Sequence, residues 1–145
     1  MLRAVLDANV YAKALIRPEG PSGEIFERLL RDDAFRLLVT RSVEEEVARC
    51  LRYPRIQKRL RFGPGELDAW LEGVFRLAER VEEPPAFPAI CRDPDDDKYL
   101  AAAAAGGASF LATEDEDLLV LNAIGRTRIL TPLDFLRHLR RPEGR

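Results

Sequence analysis

The chain has one histidine, His138, and two cysteines, Cys50 and Cys91, set far apart. That excludes a zinc site built from histidine and cysteine, and it leaves no CxxC pair for redox chemistry. With no disulfide framework, the 145 residues must rely on their core. A chain of this length buries roughly 70% of its extended surface on folding, so both cysteines are read as buried free thiols. His138 stands near a predicted helix C-terminus, where a solvated or dipole-compensating role is the ordinary one. No run of about eighteen apolar residues is present to span a bilayer. The opening apolar stretch is interrupted at Asp7, too early for a signal peptide, so the sequence predicts a cytoplasmic protein with no membrane partner. An excess of basic charge is missing as well. The net charge of −2 excludes a protein that coats nucleic acid indiscriminately and leaves room for a local basic patch. Lysine is confined to Lys13, Lys58 and Lys98 among 23 basic residues. Arginine suits phosphate recognition, although a GC-rich or thermophilic source explains the bias more simply. Gly106-Gly107 lies in neither a P-loop nor a GxGxxG pattern and reads as a helix stop.

What is present is an alternation of short apolar runs and amphipathic segments. Residues 2–6 predict a strand ending at Asp7, and 9–16 a helix broken by Arg17-Pro18-Glu19-Gly20-Pro21. Ser22 is placed to cap the next helix, with Ile25, Phe26, Leu29 and Leu30 as its apolar stripe. Residues 36–40 predict a second strand and 42–52 a helix; Gly63-Pro64-Gly65 precedes another, carrying Leu67, Trp70, Leu71, Val74, Leu77 and Ala78. Trp70 reads as part of a packing face, with a dimer contact as the sharper alternative. An extended proline-rich loop over 83–88 follows. Asp95 or Asp96 can cap a helix reaching Ala105, then come a strand over 108–112, a short helix from Asp115, a strand over 127–130 and a helix starting at Pro132. This rhythm predicts one domain over 1–145, a three-layer α/β/α sandwich with a mostly parallel central sheet.

In such a sheet the ligand crevice lies outside the C-terminal strand ends, where strand order reverses. Acidic residues gather at that edge. Asp7 and Asp115 follow predicted strands, Asp97 falls in a first helical turn, and Glu46 borders the stripe of Val43, Val47 and Leu51 one turn before Cys50. Each has an ordinary explanation: a helix cap for Asp7, a solvated face for Glu46, dipole compensation for the run Asp93 to Asp97, and an acidic loop for Asp115 and Asp117. Together they leave unexplained why acids recur wherever the chain reaches one edge. Carboxylates a few ångströms apart repel one another unless a cation intervenes. Magnesium or manganese would take these oxygen ligands and keep sites for a phosphate oxygen and a water, which points to phosphodiester chemistry. Beyond Glu46, the residues Arg49, Arg52, Arg55 and Lys58 suit an RNA backbone, or are simply exposed.

The segments Leu6-Asp7-Ala8-Asn9-Val10, Arg92-Asp93-Pro94-Asp95-Asp96-Asp97-Lys98, Thr113-Glu114-Asp115-Glu116-Asp117-Leu118 and Ile129-Leu130-Thr131-Pro132 resemble, in that order, those of the PIN-domain nucleases, and most closely their VapC-like, toxin-component branch. The resemblance implies a magnesium- or manganese-dependent endoribonuclease. It assigns Asp7, Glu46, Asp97 and Asp115 to the catalytic and metal-binding cluster, with Asp117 as a further metal ligand or an alternative to Asp115. Asn9 and Thr113 become supporting polar groups, and Asp93 and Asp96 outer groups or caps. It further implies single-stranded RNA as substrate, a homodimer and an antitoxin protein as partner. Two other readings remain: a catalytically silent PIN-fold module that binds RNA or protein, and an aspartate-based phosphotransfer domain. The second lacks another aspartate just after Asp7 and a lysine after the last strands.

Overall fold

The computed structural model describes residues 1–84 and 94–140. Cys91, Arg92, Asp93 and most of the expected proline-rich loop lie outside the described residues. Six strands, β1 Arg3–Leu6, β2 Arg36–Val39, β3 Glu79–Arg80, β4 Phe110–Ala112, β5 Ala123–Ile124 and β6 Thr127–Leu130, join in the order β3-β2-β1-β4-β6-β5. β1 pairs in parallel with β2 and β4, β2 with β3, and β4 with β6. β5 runs antiparallel at the edge.

Consecutive residues of the inner strands are buried, including Leu37, Leu38 and Val39 as well as Leu111 and Ala112. Successive side chains point to opposite faces, so both faces must be covered. The cover is α1 Ala8–Ile16, α2 Pro21–Asp32, α3 Arg41–Leu51, α4 Pro54–Gln57, α5 Pro64–Leu77, α6 Asp97–Gly106, α7 Glu116–Leu119 and α8 Pro132–Arg140. The result is the three-layer α/β/α arrangement around a mostly parallel sheet. None of the described helices is long and apolar enough to cross a membrane.

Helix α6 lies against β1, β2 and β4. Its alanine-rich sequence permits that close approach, and at Gly106 a Cβ would sit 2.6 Å from Leu38 Cδ1. Gly107 then ends the helix in the left-handed conformation, φ 64°, which glycine adopts without steric cost. In the helical layers, α2 packs on α1, α5 and α8. Phe26 is central there, its ring 4.8 Å from Tyr11 and 5.0 Å from Trp70. Each such pair contributes about 0.5–1.5 kcal/mol beyond area burial. Trp70 thus belongs to the internal packing.

Several boundaries differ from the sequence expectation. α2 begins at Pro21 with Gly20 at its cap, because proline fits the first helical position without losing a needed N–H; Ser22 is buried inside the helix instead. Thr40 leaves the strand and caps α3, its Oγ1 accepting from the Val43 amide at 3.1 Å. Leu30 and Leu77 are the exposed members of their stripes. Two strands, β3 and β5, have only two residues each. β3 is held by pairing with Leu38 and Val39 and by Arg3, whose guanidinium grips Glu79 at 2.8 and 3.0 Å while its Nε donates to Gly106 O.

Strand order reverses between β1 and β4, since the chain builds outward from β1 to β2 and β3 and then returns to the other side. The C-terminal ends of β1 and β4 therefore frame the crevice of the sheet.

Candidate functional site

Three helix starts meet at that crevice. Asp7, Asp96 and Asp115 are the residues just before α1, α6 and α7. One carboxylate oxygen from each lies within 4.8 Å of the other two. These are ordinary positions for an aspartate cap, yet neither Asp7 nor Asp96 makes a side-chain cap to its helix. Asp115 does, accepting from the Asp117 amide at 2.9 Å. The positive ends of α1 and α6 favour negative charge at this point.

Asp7 leaves β1 with 5% exposure. Its Oδ2 accepts from Thr113 Oγ1 at 2.7 Å and from Asn9 Nδ2 at 3.3 Å. Thr113, fully buried at the end of β4, also accepts from the Asp115 amide at 2.9 Å. One hydroxyl therefore links two of the three aspartates. Asn9 Oδ1 accepts from the Glu114 amide at 3.3 Å, which ties the loop after β4 to the start of α1. Burial raises the Asp7 carboxyl above the usual carboxylate range; the Thr113 hydrogen bond and the Asn9 amide pull it down, and the Asp115 charge pushes it up again. A divalent cation would remove that conflict. Three closely set carboxylate oxygens form the hard donor set that magnesium or manganese takes, so the residues present fit such an ion.

The third member of the group is Asp96; the resemblance assigned its neighbour Asp97 to the cluster. The chain reaches α6 through a 3-10 turn, Pro94–Asp96, and successive helical residues differ by about 100° in direction. Asp96 precedes the buried Tyr99, Leu100 and Ala103 by three, four and seven residues, so it continues the core-facing stripe. Asp97 is half-buried at the first position of α6. The spacing to Tyr99 and Leu100 is the sequence signal that sets Asp96 on the core side of α6.

Glu46 and Asp117 also fall outside the group of three. Asp117 is half-buried two residues beyond Asp115. Glu46, on α3, has cationic partners: its Oε1 lies 3.4 Å from Lys98 Nζ and accepts from Arg49. Burial opposes its charge, but Lys98 and Arg49 outweigh burial and hold its carboxyl below the usual range. Its neighbours Glu44 and Glu45 pair elsewhere, with Arg80 and Arg41. Glu46 and Asp7 nevertheless act on the same two side chains. The charges of both act on Tyr99 and on Cys50, and the Tyr99 hydroxyl accepts from the Ala8 amide at 3.3 Å. Cys50 is a free, half-buried thiol pushed up to about 11, chiefly by burial.

The basic series is partly engaged. Arg49 pairs with Glu46, and Arg52 with Asp68 and the Ala48 carbonyl. Arg55 and Lys58 are exposed on and just beyond α4.

Comparison with known proteins bears on the fold and the family. The uncharacterized protein MJ1680 of Methanocaldococcus jannaschii is 27% identical over 120 residues, 83% of this chain and 75% of that protein. Among solved structures, PAE2754 from Pyrobaculum aerophilum superposes with a TM-score of 0.60 at 19% identity, covering 95% of this chain and 89% of the other. VapBC2 from Rickettsia felis, bound to a DNA fragment from its promoter, gives 0.54 at 11% identity over 88% and 97% of the two chains. At those identities the two structures speak for the fold. The family model for the PIN domain matches residues 3–117, a span that includes Asp7, Asp96 and Asp115, and the chain therefore belongs to the PIN domain family.

Proposed function

We propose that the protein is a divalent-metal-dependent endoribonuclease acting on single-stranded RNA, with Asp7, Asp96 and Asp115 as the ligands of Mg2+ or Mn2+. The observation that carries this reading is the convergence of their carboxylate oxygens to within 4.8 Å at the reversal point of the sheet. An ion bound there supplies Lewis-acid polarisation of a phosphate and a more acidic water. Thr113 and Asn9 fix the Asp7 carboxylate. Asp97, Asp117 and Glu46 form an outer acidic ring that orients the attacking water. Arg49, Arg52, Arg55 and Lys58 lead away from Glu46 along α3 and α4 and hold RNA phosphates. Products carry a 5′-phosphate and a 3′-hydroxyl. The likeness in fold to VapBC2 supports extending the reading to a one-domain, cytoplasmic, homodimeric toxin, restrained by an antitoxin that places a basic residue in the acidic crevice.

The test is cleavage of a panel of single-stranded RNAs by the purified protein with manganese, magnesium or EDTA. Asp7→Asn, Asp96→Asn and Asp97→Asn are run in parallel. Metal-dependent cleavage that disappears in Asp7→Asn and Asp96→Asn, and is only reduced in Asp97→Asn, is the expected result. Cleavage that survives EDTA or Asp7→Asn overturns the assignment. RNA binding without cleavage under every condition would identify a silent binding module instead.

A further inference from the structure

Glu46 already has cations supplied by the chain itself, the more exposed Arg49 on its own helix and Lys98 from α6. Lys98 and Glu46 are 19% and 14% exposed, so their contact is a largely desolvated pair rather than a screened surface one. α6 carries Asp96 just before its first turn and Lys98 within it, so one helix start delivers a triad carboxylate to one side and an ammonium to the other. Tyr99, the next residue, closes the wall against the Ala8 amide beside Asp7. A second divalent ion bridging Glu46 to the triad would have to displace Lys98.

We propose that Lys98 takes the place of a second metal ion at Glu46, so that the centre binds a single divalent ion and Lys98 provides the second positive charge for the RNA phosphate. The proposal rests on the metal-centre reading above. The chemistry suits the position: an ammonium is a compact point charge with three donors, of which Glu46 Oε1 takes one and leaves others for a phosphate oxygen. The composition makes the choice conspicuous, since lysine occurs at only three positions while arginine fills nearly every other basic one.

Calorimetric titration with Mn2+ of the full chain tests this, with Lys98→Met and Lys98→Met/Glu46→Gln compared and circular dichroism confirming each fold. We expect one ion per chain in the wild type and two in Lys98→Met. The second ion should bind more weakly and vanish in the double variant. Lys98→Met should also cleave slowly at low Mn2+ and recover as the second ion binds. Two ions in the wild type would overturn the proposal while leaving the metal centre intact, and so would a single ion in both the wild type and Lys98→Met. No ion in the wild type would sink the metal centre itself, and the proposal with it. If Lys98→Met fails to fold, Lys98→Gln replaces it, and the wild-type count still decides against a two-ion centre or for it.

Discussion

Asp7 and Glu46 are acidic side chains whose charges both act on Tyr99 and Cys50, and their surroundings are opposite. Asp7 is almost fully buried, is held by the neutral donors Thr113 and Asn9, and faces Asp115. Glu46 is also mostly buried but touches Lys98 and Arg49. The carboxyl of the first is raised and that of the second lowered. The contrast shows that two acidic residues near one sheet edge can meet opposite electrostatic surroundings. What distinguishes the two is whether the fold supplies its own cations: at Glu46 it does, and at Asp7 the proposed metal ion would.

The comparison breaks most readily at Thr113, which serves only the first neighbourhood. Thr113→Val keeps the volume of a fully buried side chain but removes the donor to Asp7 and the acceptor for the Asp115 amide. Groups that orient metal ligands are typically worth 10- to 100-fold in affinity. Mn2+ binding should weaken by about that factor, while the Lys98–Glu46 contact remains. A change of less than about threefold, far below that range, would mean that the aspartates are positioned by their backbone alone.

How much of this was legible in the sequence follows the same division. β1, α1, β2, α3, β6 and α8 were readable because runs such as 36–39 and the stripe Val43, Val47, Leu51 carry their own periodicity. β3 and β5 were not, since two residues have no period and exist only through pairing with β2 and β6. Asp7 and Asp115 were visible because each ends an apolar strand. The place of Asp96 beside Asp7 and Asp115 was obscured because a 3-10 turn, Pro94–Asp96, leads into α6. The partnership of Glu46 with Lys98 was out of reach, because it depends on how α3 and α6 pack across 52 positions of sequence.

A sharper form of the comparison is the stability of the metal-free protein. The Asp7 carboxyl is raised, so the folded state holds its proton more tightly than the unfolded chain. Its stabilising contribution is complete below the unfolded value near 4 and is lost as pH rises through the higher folded value. Asp7→Asn removes that loss. In EDTA at neutral pH, denaturant unfolding should show the variant more stable by roughly 1 kcal/mol, the scale of a buried polar group whose hydrogen bonds only partly offset desolvation. An unchanged or lower stability would show that Thr113 and Asn9 already satisfy the ionised carboxylate.

Glu46→Gln should act in the other direction and more weakly. Its carboxyl is lowered, so its contribution is complete above the unfolded value near 4.3 and is lost as pH falls through the lower folded value. The variant should be less stable than the wild type at neutral pH, by about 1 kcal/mol or less because Arg49 lies more than half exposed and part of the pairing is screened. As pH falls through that lower folded value the difference should close. Unfolding curves of the two variants in EDTA from acid to neutral pH would then diverge from the wild type with opposite signs. Curves of the same sign would mean that Lys98 does not satisfy Glu46, and that both carboxylates await an ion.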